Sequence, residues 1–279
     1  MKAHLVQMDL AWEDKGANFE AVRRLLADAP IEPGDLVVLP EMFDTGFSFH
    51  VERTADHDGR TSGFLSELAG ELRVTLHGAR TATTEDGARG LNRAHVVGPT
   101  GEPIATYDKI HPFSYGREAE RFTGGREVVV YPWFGDIESP AAERSLIVCP
   151  AVCYDLRFPE LFRAGLDLGA QAFVLGANWP EARQSHWRAL AIARAVENQA
   201  FVFAVNRVGS DPKLRYAGGS IAVGPAGEVL AEGGEEEGVL SVEVDAGAVR
   251  RWREEFPAWR DRAKVLLDWR SPAQPVVYE

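Results

Sequence analysis

The sequence predicts an α/β fold in which two sheets pack face to face, with helices outside, as one domain. Three observations lead there. Strand-like apolar runs alternate with helical ones along the chain. A strand–helix–strand unit followed by hairpins occurs twice, so the chain divides into two similar halves. Each half also carries a reverse turn of the form Gly-Pro-x-Gly-Glu, at Gly98-Pro99-Thr100-Gly101 and at Gly224-Pro225-Ala226-Gly227. Two helix-covered sheets bury such a pattern.

In chain order, the first half has strands near 3–9, 35–40, 74–80, 92–98, 102–108 and 127–132, with helices near 16–28 and 61–73. The second has strands near 144–149, 171–177, 200–207, 218–224, 228–232 and 238–244, with helices near 157–169 and 183–198. In the last helix Ala189, Ile192, Ala193 and Val196 recur at helical spacing and form an apolar stripe. The acidic segment Gly233-Gly234-Glu235-Glu236-Glu237-Gly238 reads as a solvated hairpin turn. Residues 1–245 would form the layered core and 246–279 a C-terminal extension, within a single domain over 1–279.

Bulk properties narrow the function. A 45% apolar share supports a sizeable core. A net charge of −12 argues against nucleic-acid binding, which needs a basic surface. No run approaches the roughly 18 apolar residues of a membrane span, and the N-terminus does not read as a signal peptide. Two cysteines without a framework fit a reducing, cytoplasmic setting. The seven histidines are scattered and no metal-ligand spacing occurs, so no metal is expected. There is no P-loop and no Gly-x-Gly-x-x-Gly. The nearest approach to a serine nucleophile elbow, Gly218-Gly219-Ser220-Ile221-Ala222, lacks its last glycine.

Three strand ends carry chemistry. Glu41 ends Leu36-Val37-Val38-Leu39-Pro40-Glu41, and an apolar, aromatic segment follows. An acid beside aromatic walls should have a raised pKa, as a general base needs, although a loop acid or helix-capping acid would look alike. Lys109 ends Ile104-Ala105-Thr106-Tyr107-Asp108-Lys109, in a chain with 25 arginines and five lysines. A lysine can trade a proton where arginine cannot, yet a lysine at a strand end is commonly just solvated. Cys153 follows the apolar run Leu146–Cys149 and precedes Tyr154, Asp155 and a helix start with Pro159 in its first turn. Helix-start amides can stabilise a thiolate and an oxyanion. Cys149 reads as a small core residue, and a buried structural role is the alternative for Cys153. A thiol, a carboxylate and an amine at strand ends suggest a Cys–Glu–Lys amide hydrolase.

Leu39-Pro40-Glu41-Met42-Phe43, Tyr107-Asp108-Lys109-Ile110-His111-Pro112-Phe113 and Cys153-Tyr154-Asp155-Leu156-Arg157-Phe158-Pro159-Glu160-Leu161 together resemble the three catalytic motifs of the nitrilase superfamily of carbon–nitrogen hydrolases. The likeness extends through Ala177-Asn178-Trp179-Pro180 and Val205-Asn206-Arg207-Val208-Gly209. Pro40–Ser48 and the Asn178-Trp179-Pro180 turn look most like the omega-amidase branch, which cleaves the terminal amide of 2-oxoglutaramate or 2-oxosuccinamate.

The resemblance implies a four-layer α-β-β-α sandwich, often a homodimer, and no metal or organic cofactor. It implies Cys153 as nucleophile, Glu41 as base, and Lys109 with the Tyr154 backbone N–H as oxyanion donors. A second glutamate is expected after the lysine, and Glu118 fits better than Glu120. Arg157 is a candidate clamp for a substrate carboxylate, or else an ion-pair partner of an acid such as Asp155. Phe43, Phe47 and Trp179 would wall the pocket, unless packing alone explains them. Members usually carry glycine three residues before the nucleophile. Pro150 stands there and should break or bulge the strand. The competing readings are an aliphatic amidase, an N-carbamoyl amide hydrolase or a nitrilase, then a non-catalytic binding module, then a redox sensor using Cys149 and Cys153.

Overall fold

Leu36 and Val38 of the short strand Leu36–Val38 (β2) face one way and Val37 the other, as the two-residue period of a strand requires. In the computed structural model, which describes residues 1–135 and 145–262, that alternation builds the layers. Val37 packs beneath Phe19, Val22 and Leu26 of α1 (Lys15–Ala27) and Phe64, Leu65 and Leu68 of α3 (Arg60–Leu72), the helix after the short α2 (Val51–Thr54). Leu36 and Val38 instead meet Trp133, Leu146, Val148, Val174 and Phe203 of the opposite sheet. On the far side of that sheet Cys149, Phe173 and Leu175 pack against Leu161 and Phe162 of α4 (Pro159–Asp167) and Trp187 and Ala191 of α5 (Gln184–Asn198). The result is the expected α-β-β-α sandwich.

Each sheet has six strands of matching design. In the first, β1 (Lys2–Gln7), β2 and β3 (Thr75–Thr83) run parallel, and β4 (Gly90–Val97) and β5 (Pro103–Asp108) continue antiparallel. In the second, β7 (Ser145–Val152), β8 (Ala172–Ala177) and β9 (Phe201–Asn206) are parallel, and β12 (Ile221–Val223) and β13 (Val229–Glu232) continue antiparallel. The two halves exchange one edge strand. β6 (Tyr131–Phe134) pairs with β7, and β14 (Gly238–Glu243) pairs with β1. A separate hairpin, β10 (Val208–Ser210) with β11 (Arg215–Ala217), was not expected from the sequence.

The two Gly-Pro turns are duplicates. Gly101 N–H donates to Gly98 O and Gly98 N–H to Glu102 O, both 2.9 Å; Gly227 and Gly224 make the same pair of bonds at 2.9 and 2.8 Å. Gly101 and Gly227 sit at φ 83° and 94°, where a side chain would be strained.

Three expectations are corrected. The acidic segment 233–238 is no hairpin turn: it carries the chain from β13 in one sheet to β14 in the other. Its backbone is tied at Gly234 O and Glu236 O by the Gln7 side-chain amide. The apolar stripe of α5 points outward, with Ala189 and Val196 exposed. The buried face carries Trp187, Ala191, Arg194, Ala195 and Asn198, and two polar members disguised it. Arg194 spends its guanidinium on Leu156 O, at 3.0 and 2.8 Å.

Nor does Pro150 break its strand. β7 runs unbroken through Pro150, which aligns with Val174 of β8. Ile147 directs both its N–H and its C=O at Gln171, on the β8 side. Backbone groups alternate sides along a strand, so Pro150 directs its missing donor toward β6. The β6 ladder ends at Val148, and no hydrogen bond is forfeited there. Among the described residues no helix is long and apolar enough to cross a membrane. None of the His, Cys, Asp and Glu clusters among them could hold a metal ion.

Candidate active site

Glu41 reaches the space between the sheets because Gly176 lets it. A Cβ on Gly176 of β8 would collide with Leu39 O and stand 2.8 Å from Glu41 N. Beyond β2 the chain keeps to the edge of β3, with Leu39 N–H on His77 O and Phe43 N–H on Ala79 O. Met42 turns it there at φ 45°. Cys153 lies at the end of β7 with φ 44°, opening a 3-10 turn over Cys153–Arg157. Two non-glycine residues in the left-handed region cost on the order of 1–3 kcal/mol each, a strain typical of functional sites.

The geometry brings together three of the expected residues, Glu41, Lys109 and Glu118. Lys109 Nζ donates to Glu41 Oε1 and to Glu118 Oε2, both at 2.8 Å, and all three side chains are buried. Glu118, not Glu120, is the glutamate that joins Glu41 on Lys109; Glu120 is exposed and pairs with Arg117. Phe113 N–H also donates to Glu118 Oε2 at 2.6 Å. The Asn92 amide bridges both carboxylates, donating to Glu41 Oε1 at 2.7 Å and Glu118 Oε1 at 3.0 Å. Asn178 holds the other side of Glu41, its backbone N–H on Oε2 at 3.0 Å and its amide on Glu41 O at 2.6 Å. Asn92 escaped the sequence reading. Its signal was a lone amide inside the apolar run of β4.

The electrostatics correct one expectation. Burial does raise the pKa of Glu41, but the Lys109 ammonium and the N–H donors of Asn178 and Asn92 outweigh it, so the carboxyl lies below its ordinary value. Burial pushes Glu118 up; Lys109 opposes this, and the Glu41 charge adds to it. Burial alone would lower Lys109, yet Glu118 and Glu41 hold its pKa above the usual lysine value. Burial and the Glu41 carboxylate push the Cys153 thiol well up, and Lys109 offsets only part of this. Cys153 is thus held as a thiol facing an ionised carboxylate, not as a preformed thiolate.

A second staple sets the thiol against the lysine strand. Asp155 accepts from Tyr107 Oη at 2.7 Å, from His111 N–H at 3.0 Å and from Val152 N–H at 2.9 Å, and pairs with His111 Nδ1 at 2.8 Å. Asp155 is fully buried and saturated, so it is not the partner of Arg157. Arg157 lies over the rings of Trp179 at 4.7 Å and Tyr154 at 5.9 Å, with His186 Nδ1 at 3.3 Å. Tyr154 follows Cys153 at the first turn, where an amide has no intrahelical acceptor.

A pocket opens over Cys153, with about 390 Å³ of empty space when its open mouth is included. Phe47, Trp179, Tyr154, Arg157 and Tyr216 are among its walls. Phe47 also lies 5.3 Å from Lys109 Nζ. Phe43 is a correction: it is fully buried in the helix-facing core, in contact with Phe19 and Phe64. It lies in the turn beyond β2, on the helix-covered side of the sheet. Cys149 lies in the core beneath α4 and α5. Four residues of nearly extended chain, roughly 13 Å, separate it from Cys153, beyond the reach of a disulfide.

Residues 2–254 match the family model described as carbon-nitrogen hydrolase. The chain belongs to the carbon–nitrogen hydrolase family. This hydrolase is 36% identical to omega-amidase YafV of Yersinia enterocolitica, covering 96% of this chain and 98% of the relative. It is 32% identical to the 2-oxoglutaramate amidase of Bacillus subtilis, covering 94% and 97%. Among solved structures it is similar to XC1258 of Xanthomonas campestris, a CN-hydrolase superfamily protein with an arsenic adduct in its active site. The TM-score is 0.85 at 35% identity, over 94% and 97% of the two chains. An amidase of Nesterenkonia sp. AN1, in a glutamate-to-glutamine variant carrying an acetamide moiety on its active-site cysteine, aligns with a TM-score of 0.81. There the identity is 26%, over 97% of each chain.

Proposed function

We propose that this carbon–nitrogen hydrolase is an omega-amidase, releasing ammonia from the terminal amide of 2-oxoglutaramate or 2-oxosuccinamate. The observation that carries the reading is Arg157. It lines the pocket beside the thiol, and among the described residues no carboxylate pairs with it. An apolar pocket with a guanidinium that no described carboxylate neutralises suits a short chain ending in a carboxylate. The names of the relatives support the same substrate class.

In the proposed mechanism Cys153 Sγ attacks the amide carbon while its proton passes to Glu41. Lys109 Nζ and the Tyr154 N–H hold the oxyanion. Glu41 then returns the proton to the nitrogen, the carbon–nitrogen bond breaks and ammonia leaves a thioester on Cys153. Water attacks the thioester, losing its proton to Glu41; the carboxylic acid departs and the thiol is restored. Glu118 and Asn92 keep Lys109 and Glu41 in place.

Unbridged cysteines support a cytoplasmic setting, and the outward stripe on α5 supports pairing with a second copy. The test of substrate class is an amide panel read by ammonia release. The reading expects 2-oxoglutaramate and 2-oxosuccinamate to exceed neutral aliphatic amides and N-carbamoyl compounds in kcat/KM by tenfold or more, on the order of one charged hydrogen bond. A preference for neutral amides would overturn it.

A further inference from the structure

We propose that Arg183 is a second carboxylate-reading residue of the pocket, acting with Arg157 on the oxo-acid end of the substrate. The proposal rests on the omega-amidase reading and deepens it. Arg183 lines the same pocket as Cys153 and Arg157. It closes the 3-10 turn Glu181–Arg183, directly after Asn178-Trp179-Pro180.

Trp179 organises both arginines. Its Nε1–H donates to Arg183 O at 2.8 Å, fixing the turn, while its ring face lies 4.7 Å from the Arg157 guanidinium carbon. Arg183 N–H adds a bond to Pro180 O at 3.0 Å. The Arg183 guanidinium itself lies over the Phe113 ring at 5.5 Å. Phe113 is the residue whose N–H holds Glu118. Both cations are thus seated on aromatic faces, and among the described residues no carboxylate occupies their N–H edges, although Arg157 Nη2 meets His186 Nδ1 at 3.3 Å.

Charge distribution strengthens the case. The chain has 42 acidic residues against 30 lysines and arginines, and neighbouring arginines are paired: Arg188 with Glu232, and Arg215 with Glu181 and Glu235. The acid two residues before Arg183 is therefore already engaged. Among the described residues neither Arg157 nor Arg183 has a carboxylate partner, although both are half-buried beside the nucleophile. Two forked donors at one site suit an oxo acid, which presents carboxylate and ketone oxygens together. Neither arginine touches the reacting carbon, so both serve substrate selection.

The test is steady-state kinetics of Arg183→Leu and Arg183→Lys with 2-oxoglutaramate and with pentanamide, a neutral amide of equal chain length. For Arg183→Leu, KM for 2-oxoglutaramate should rise about 10- to 100-fold, the range of one charged hydrogen bond. The kcat/KM preference for 2-oxoglutaramate over pentanamide should fall by a similar factor, and inhibition by 2-oxoglutarate should weaken in step with the rise in KM. Arg183→Lys should show an intermediate KM, and it carries the test if the leucine variant misfolds by circular dichroism. Equal losses on both amides, or an unchanged KM, overturn the role of Arg183. If wild-type enzyme itself shows no preference for 2-oxoglutaramate over pentanamide, the substrate reading beneath it fails as well.

Discussion

Replacing Lys109 with methionine keeps the stem and removes the charge on which two buried carboxylates depend. Lys109 Nζ meets Glu41 and Glu118 at 2.8 Å each, and no side chain of the three is more than 1% exposed. Removing one partner of a buried ion pair costs roughly 3–5 kcal/mol. With about 2.1 cal/mol/K of unfolding entropy per residue over 279 residues, that loss lowers Tm by roughly 5–9 °C. The pH dependence has a definite sign. Without the ammonium, burial and mutual repulsion raise both carboxylates above their unfolded values, so stability is lost as pH rises through their folded pKa values. In the wild type Glu41 is depressed and contributes stability above its unfolded pKa, which is lost in acid. Both effects make the Tm gap wide at pH 8 and narrow near pH 4. Scanning calorimetry at the two pH values measures it. Ammonia release should fall about 10²- to 10³-fold, as for loss of one oxyanion donor. An unchanged Tm, or a gap that widens in acid, would refute the cluster's electrostatics.

Glu41→Gln should abolish ammonia release yet speed alkylation of Cys153 by a haloacetamide near neutral pH. The carboxylate that raises the thiol is gone while Lys109 remains, so the alkylation profile should move to lower pH; an unmoved profile contradicts the assignment. Asp44 is fully buried and its carboxyl is pushed up to about 6, first by burial, with Thr61 and Lys15 opposing. A raised folded pKa means stability is lost as pH rises through it, so Asp44→Asn should gain on wild type between pH 4 and pH 7. The relative gain is on the order of 3 kcal/mol. Denaturant unfolding at both pH values reads it, and a pH-independent difference would count against the ionisation.

The layers were legible because each sheet writes itself as apolar strands between helices, and the repeated Gly-Pro turns marked the two halves. The exchange of β6 and β14 was not, since edge pairing depends on contacts far apart in sequence. Glu41, Lys109 and Cys153 were readable as reactive side chains at strand ends. Phe43 was misread because the sequence names an aromatic without fixing which side of the sheet it faces. The depressed pKa of Glu41 lay out of reach for a similar reason: its sign depends on Lys109, 68 residues away. Asn92 and Asp155 serve by holding other groups, and such roles appear only when their partners do. Pro150 obeyed the rule applied to it. What the sequence lacked was the end of the neighbouring β6 ladder.

The most direct test of the mechanism is intact-protein mass spectrometry after rapid mixing with 2-oxoglutaramate and acid quench. The proposed acyl-enzyme predicts an increase equal to the acyl group left after ammonia departs, mapped to the peptide carrying Cys153 and lost in Cys153→Ala together with ammonia release. Continued turnover by Cys153→Ala, or an adduct mapped to Cys149, would contradict it.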